Sequence, residues 1–125
     1  MQGMRFTVNI HLPGTLAADQ SGALALPCAA TLEQVAACGS NANDATLAIG
    51  TSADPDGLLT AAAIGDSSTP EVWANPDWDG ALAPGDGVSP PHLDNATVIV
   101  WSLDFDGAAG TAAADVDILF TFIEG

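Results

Sequence analysis

The chain has 125 residues, and its sixteen acidic side chains face one basic side chain, which gives a formal net charge of −15 at pH 7. This charge excludes direct contact with nucleic-acid backbones and anionic membrane surfaces, because both would repel the chain. The length fits one domain over residues 1–125. No apolar run approaches the roughly 20 residues of a membrane span. The N-terminus lacks the layout of a signal peptide, so synthesis in the cytoplasm without export is expected.

The N-terminal segment predicts a short arm followed by a strand. Residues 1–4 carry no pattern and are expected to form a flexible arm. From Arg5 to Leu12 apolar and polar residues alternate, and a period of two is typical of a half-buried strand. The turn dipeptide Pro13–Gly14 is predicted to end this strand.

The middle of the chain consists of short alternating or apolar runs separated by clusters of turn residues. Strands are predicted at Ala23–Leu26, Thr31–Cys38, Ala45–Thr51, Leu58–Ile64 and, as an edge strand, Glu71–Trp73. The segment Thr31–Cys38 also has good helix propensity, but its position between strands favours a strand. Residues 74–95 are rich in Pro, Gly, Asp and Asn, and they predict a long irregular loop.

Two long strands close the chain, at Thr97–Phe105 and Asp115–Ile123. In the second, every other residue is apolar, and these residues predict a buried face: Val116, Ile118, Phe120 and Phe122. The whole pattern contains about seven or eight strands with regularly spaced turns and requires no helix. It predicts an all-β, single-domain antiparallel β-sandwich of the jelly-roll type, with its first and last strands inside the sheets.

Four Asp-x-Asp pairs are candidate cation ligands, because hard carboxylate oxygens at this spacing can converge on Ca²⁺ when they lie in a loop. The pairs are Asp54/Asp56, Asp77/Asp79, Asp104/Asp106 and Asp115/Asp117. Asp54 and Asp56 are the best candidates for a Ca²⁺ site, since Gly57 closes their turn. An EF-hand loop is excluded, because position twelve counted from Ser52 is Ala63 rather than glutamate. In strands and turns the same pairs would be solvated acids or turn caps.

Trp73 and Trp78, at the start of the irregular segment, allow two interpretations. They could form an aromatic platform for carbohydrate, or they could be buried at the end of the sandwich or at a subunit contact, where tryptophan is enriched. The absence of tyrosine weakens the carbohydrate interpretation.

The remaining chemically active residues predict no catalytic site. Cys28 and Cys38 are expected to be reduced thiols, with a disulfide as the alternative, and two cysteines supply too few ligands for a metal site. His11 and His92 are far apart in sequence, and no Gly-x-Ser-x-Gly motif is present. The protein is therefore not expected to be an enzyme or to require a cofactor.

Three segments resemble a known family: Ala36–Gly57, Val98–Gly107 and Asp115–Glu124. They are similar to small β-rich proteins encoded among the head genes of tailed bacteriophages, which resemble capsid decoration (cement) proteins. The resemblance covers about half of the chain and consists of strand-and-turn patterns, with no catalytic residues to carry over.

The resemblance implies a structural virion protein on the capsid exterior that bridges capsomers, with the major capsid protein as its partner. It also implies a homo-oligomer, expected to be a trimer. The residues expected at oligomer or capsid contacts are Arg5, Phe6, Trp73 and Trp78. The alternative function is a small ligand-binding module, specific for carbohydrate or dependent on Ca²⁺, with Trp73 and Trp78 at its site.

Overall fold

The structure is a computed structural model, which describes residues 3–66, 69–74, 77–82 and 90–125. Within these residues nine β-strands form: β1 Arg5–Thr15, β2 Gln20–Ala25, β3 Ala30–Cys38, β4 Thr46–Thr51, β5 Leu59–Ala63, β6 Glu71–Ala74, β7 His92–Leu93, β8 Val98–Asp104 and β9 Ala114–Glu124. The described residues contain no helix that is long and apolar enough to cross a membrane.

The strands form two antiparallel sheets, which confirms the predicted β-sandwich. In the first sheet the order is β1-β9-β3-β6, and the two-residue strand β7 pairs with β3. In the second sheet the order is β2-β8-β4-β5. Every pairing between named strands is antiparallel.

The order of pairing identifies the sandwich as a jelly roll. With the two-residue β7 left out, the first of the eight strands pairs with the last, as β1 with β9. The second pairs with the seventh as β2 with β8, the third with the sixth as β3 with β6, and the fourth with the fifth as β4 with β5. This pattern arises when one long antiparallel hairpin rolls up on itself, and it is the topology of the eight-stranded jelly roll.

The core lies between the two sheets and follows from the alternation along the strands. The inward side chains of β9 are fully buried: Val116, Ile118, Phe120 and Phe122. Those of β8 face them from the other sheet, and Ile99, Trp101 and Leu103 are likewise buried. The rings of Phe120 and Phe122 stack with centroids 6.3 Å apart. The inward face predicted for the last strand is therefore a face that forms the core.

The first strand departs from the prediction at its end and in its position. It continues through Pro13–Gly14 to Thr15, because these residues form an irregularity between Leu12 and Thr15 rather than a terminating turn. Gly14 has a φ of 73°, which glycine adopts without strain, and its N–H donates to the Asp115 carboxylate at 2.8 Å. Strand β1 is also an edge strand, whereas β9 lies inside its sheet.

Two segments expected to be irregular contain ordered contacts. In the N-terminal arm, residues 1–2 lie outside the described residues, and the Met4 carbonyl accepts a hydrogen bond from the Glu124 N–H at 2.9 Å. Beyond Ala74, the described residues of the predicted loop 74–95 are 77–82 and 90–95. The second of these stretches contains the short strand β7.

A close approach between β2 and β8 requires glycine at position 22. Gly22 lies opposite Trp101, and a Cβ at position 22 would lie 2.7 Å from the indole Nε1. Because Trp101 is buried among core residues, it cannot move aside without disturbing them.

We therefore expect Gly22→Ala to lower the free energy of unfolding by about 1–3 kcal/mol, the usual cost of overpacking a core. Urea denaturation followed by tryptophan fluorescence measures this change. The control is Ala23→Ser at the neighbouring exposed position, expected to change stability by less than about 0.5 kcal/mol. Equal effects of the two substitutions would contradict the packing argument.

Candidate functional site

The single cation of the chain is engaged on the outer face of the first sheet. Arg5 on β1 forms a bidentate ion pair with Glu33 on β3, with its Nε and Nη2 donating to the two carboxylate oxygens. These hydrogen bonds hold the pKa of Glu33 below its usual range. Arg5 remains more than half exposed, and its predicted role at an oligomer or capsid contact stays a prediction. A partner that contacts Arg5 would also meet the Glu33 carboxylate.

Phe6 points to the opposite side of β1 and packs against the core. Its ring stacks on Phe122 with centroids 5.1 Å apart, and its side chain is half-buried. Arg5 and Phe6, both predicted at oligomer or capsid contacts, therefore lie on the two faces of one edge strand, and their contact role stays a prediction.

Trp73 and Trp78 are both buried, at 6% and 7% relative exposure. Trp73 lies on β6 opposite Val35 of β3. The Trp78 indole N–H is buried and has no hydrogen-bond partner among the described residues. A carbohydrate platform requires an exposed ring face, and burial leaves little of either ring for this purpose.

Three carboxylates meet at one end of the second sheet. Oxygen atoms of Asp19, Asp104 and Asp106 lie within 4.8 Å of one another. Asp19 precedes β2 and accepts a hydrogen bond from the Phe105 N–H at 3.2 Å, while Asp104 ends β8 and accepts one from the Gly107 N–H at 3.1 Å. Desolvation raises the pKa of Asp106, and the hydrogen bond and negative charge of Asp104 raise it further.

Sequence analysis identified Asp104 and Asp106 as a pair but did not identify Asp19. The missing information was the pairing of β2 with β8, which brings the start of β2 to the end of β8. Asp19 and Asp104 also border a cleft of 430 Å³ on the outer face of this sheet, floored by small residues such as Ala48 and Ser102. Such a cluster stores electrostatic repulsion that a proton or cation would relieve.

The favoured Asp54/Asp56 pair does come together in the β4–β5 loop. Desolvation and then the hydrogen bond to Asp56 raise the pKa of Asp54, which requires the two carboxylates to be neighbours. Among the described residues, however, the pair is not part of a group of three His, Cys or acidic ligands. Ca²⁺ takes about six to eight oxygen ligands, so the side chains supply only the beginning of such a shell, and the Ca²⁺ site stays a prediction.

The cysteines are free thiols at opposite ends of β3. Because a strand rises about 3.3 Å per residue, the eight steps from Ala30 to Cys38 span roughly 26 Å, and Cys28 lies only two residues before Ala30. A disulfide needs Cα atoms within about 7 Å, so the alternative of an intramolecular bridge is excluded.

His11 and Cys38 lie on the same outer face but do not form a catalytic pair. His11 Nδ1 is 2.8 Å from the Asp117 carboxylate, and both side chains are about half exposed. Asp117 separates the two residues, since it lies opposite His11 on one side and Cys38 on the other. Two strand spacings amount to about 10 Å, beyond the reach of a histidine that activates a thiol. The Cys38 thiol instead lies 3.2 Å from the Gly39 carbonyl.

The outer face of the first sheet also presents an uncharged row. Asn9, Leu119, Ala36 and Val72 lie side by side across β1, β9, β3 and β6. A shallow groove of 220 Å³ runs over Leu119 and Ala36 towards Pro70, and Val72 is 45% exposed at the edge of the sheet. This row contains no charged side chain in a strongly acidic protein.

No protein-family model matches the chain, and no curated protein is similar to it in sequence. A solved structure does match in fold: a chain from the structure described as the cyanophage Pam1 capsid asymmetric unit. The TM-score is 0.57 with 14% sequence identity, and the match covers 99% of this chain and 87% of the other. At this identity the likeness establishes a shared fold.

The raised pKa of Asp106 has a consequence for stability. A carboxyl group with a higher pKa in the folded state binds protons more readily when folded, so the free energy of unfolding rises as pH falls through that window. We expect Asp106→Asn to be more stable than the unsubstituted protein at pH 7 and to gain less stability on acidification. Thermal unfolding at a series of pH values between 7 and 4 measures both effects.

Asp94→Asn is the matched control, since it removes one negative charge outside the cluster. If it stabilised the protein as much as Asp106→Asn, the effect would belong to the net charge rather than to the cluster.

At pH values below 4, protonation of Glu33 breaks its bond to Arg5, and stability is expected to fall as pH drops through the lowered pKa of Glu33.

The two buried tryptophans should respond differently to loss of the indole N–H. A buried N–H without a partner lowers the free energy of unfolding by about 1–3 kcal/mol. Trp78→Phe removes such an N–H and regains this stability, while most of the aromatic ring stays in place. We expect Trp78→Phe to cost less stability than Trp73→Phe in urea denaturation. A larger loss at Trp78 would show that its N–H has a partner in the folded protein.

Proposed function

We propose that this protein is a structural component of a phage virion that sits on the capsid exterior and stabilises the shell by bridging capsomers. The observation that carries the proposal is the match over nearly the whole chain to a polypeptide from a cyanophage capsid. The sequence resemblance to decoration proteins of tailed phages supports the same class from separate residues: Ala36–Gly57, Val98–Gly107 and Asp115–Glu124.

The length of the matched capsid chain supports a decoration role in particular. Because 99% of this chain aligns with 87% of that one, the two chains are of similar length. A short jelly roll without large insertions offers its sheet faces, edges and loops for contacts, and this is what a protein that attaches to an existing shell requires.

The charge distribution also suits an external position. With a net charge of −15 the protein would be repelled by packaged DNA, so its surface would not compete with the genome for basic sites on the shell. The uncharged row Asn9–Leu119–Ala36–Val72, whose groove is bordered by the single carboxylate of Asp117, provides a surface on which a contact desolvates few charges.

The partners that follow from this function are the major capsid protein and further copies of the same chain. A trimer is the expected stoichiometry from the resemblance, and it stays a prediction. The alternative of a carbohydrate-binding or Ca²⁺-dependent module is not favoured, because Trp73 and Trp78 are buried and Asp54/Asp56 gathers no third acidic, His or Cys ligand among the described residues.

Reconstitution with capsids tests the proposed function. Shells of the source phage assembled without this protein are incubated with the purified chain, sedimented, and imaged by cryo-electron microscopy. We expect the chain to co-sediment at a fixed stoichiometry and to occupy the outside of the shell. Shells that carry it should resist a higher temperature before they release DNA or disassemble.

The control is a protein of similar size and acidity added at the same concentration. Failure to bind shells, or density on the inside of the shell, would contradict decoration. Glycan binding in the absence of shells would instead support the ligand-binding alternative.

A further inference from the structure

Strand β1 leaves one of its edges unpaired in the described part of the chain. It stands at the end of the first sheet and is eleven residues long, which is long for an edge strand, and all of it except Pro13 and Gly14 pairs with β9. The hydrogen bond from the Glu124 N–H to the Met4 carbonyl shows that these two residues form a hydrogen-bonded pair, and in an antiparallel ladder every second pair is hydrogen-bonded. Met4, Phe6, Val8 and Ile10 therefore direct their backbone groups to β9, and those of the intervening residues point away from it.

The residues whose backbone N–H and C=O groups face the open edge are thus Arg5, Thr7, Asn9 and His11. Natural edge strands are commonly blocked by charged side chains, especially lysine, or by proline. Strand β1 has Pro13 and its bulge only near the end, and the stretch from Phe6 to Leu12 contains neither device.

The sandwich is open along this same side. The inward residues of β1 are only half-buried, whereas those of β9 beside them are fully buried. Strand β2, the edge strand of the other sheet, adds Leu24 to the same set of partly covered side chains. The apolar seam consists of Phe6, Val8, Ile10, Leu12 and Leu24.

The two strands that border this side carry no acid of their own, and the carboxylates nearest to β1 are Asp117, which bonds to His11, and Asp115, which accepts from the Gly14 N–H. In residues 1–43 the acids Asp19 and Glu33 are offset by Arg5, which leaves a net charge of −1. Residues 44–125 contain fourteen acids and no cation, a net charge of −14. Neither the stretch from Phe6 to Ala18 nor β2 contains an acidic residue.

We propose that the free edge of β1 is the surface at which a second copy of this chain docks, strand against strand. Two copies of charge −15 repel each other most strongly where their acids face, so they can approach closely only through surfaces that lack acids. The edge strand itself contains no acid, and the adjacent carboxylates Asp115 and Asp117 are each hydrogen-bonded to it. The edge also offers unpaired backbone donors and acceptors, while docking covers the half-buried seam.

The register of β1 permits this pairing without electrostatic conflict. If two β1 strands pair antiparallel about Asn9, Thr7 faces His11 of the second copy and no two acids meet. A closed trimer would instead join β1 to β2 of the next copy, and β2 is also uncharged. Both arrangements use the edge of β1 to which the Asn9 N–H points.

The inference specifies the self-assembly contact within the proposed function, and its test uses purified protein without capsids. Failure of one is therefore distinguishable from failure of the other. The key variant is Asn9→Pro, since proline removes an N–H that faces the open edge and is tolerated in edge strands at such positions. Its matched control is Asn9→Ala, which removes the same side chain but keeps the N–H.

We expect light scattering at moderate salt to give a mass of at least two copies for the unsubstituted protein and for Asn9→Ala. Asn9→Pro should associate at least tenfold more weakly and give the mass of one copy, with an unchanged circular dichroism spectrum. A monomeric unsubstituted protein at its highest soluble concentration in moderate salt would overturn the proposal. So would a folded Asn9→Pro protein with unchanged mass.

A second variant applies if Asn9→Pro does not fold. The double substitution Thr7→Asp and Asn9→Asp keeps every backbone N–H and places new acids along the edge on the solvent face. We expect it to be monomeric at low salt and to regain mass at high salt, where screening weakens the repulsion. Unchanged mass at low salt would contradict the proposed contact.

Discussion

The fold depends on the position of β9 between β1 and β3. This strand pairs along its length with both neighbours and contributes four fully buried side chains to the interface between the sheets. Each of the apolar residues Val116, Ile118, Phe120 and Phe122 removes surface from water, and a fully buried side chain of this size contributes about 1.5–3 kcal/mol. Because the last strand also closes the roll on the first, the core and the topology are fixed by the same pairing.

A net charge of −15 opposes this compact state, and the structure concentrates much of the negative charge near chain turns and strand ends. Asp104 and Asp106 lie at the end of β8, Asp54 and Asp56 in the β4–β5 loop, and Asp115 at the bulge of β1. Several of these carboxylates accept backbone hydrogen bonds, which partly offsets the repulsion by giving each charge a local partner. The price is two clusters in which a carboxyl pKa is raised.

The same arrangement organises the surfaces available for assembly. The acids lie mainly in the later two thirds of the chain, while the open side of the sandwich is built from the first two strands. Under the proposed function, contacts between copies and contacts with a shell can use different surfaces, since the uncharged row around Leu119 lies on a sheet face and the free edge of β1 lies beside it. A protein that joins units of a shell requires two such surfaces on one rigid domain.

The sequence by itself determined the strands and their inward faces, because alternation with a period of two is a local property of the chain. The burial of Phe120 and Phe122 was predictable for this reason, whereas the strand at Thr31–Cys38 was predicted from its position between other strands. The continuation of β1 through Pro13–Gly14 was not, since a bulge depends on a partner, here Asp115. Only the tertiary structure decided which strands became edges, that Asp19 joins Asp104 and Asp106, and that Arg5 binds Glu33. Each of these facts requires the pairing of strands distant in sequence, and side-chain alternation carries no information about which strand lies next to which.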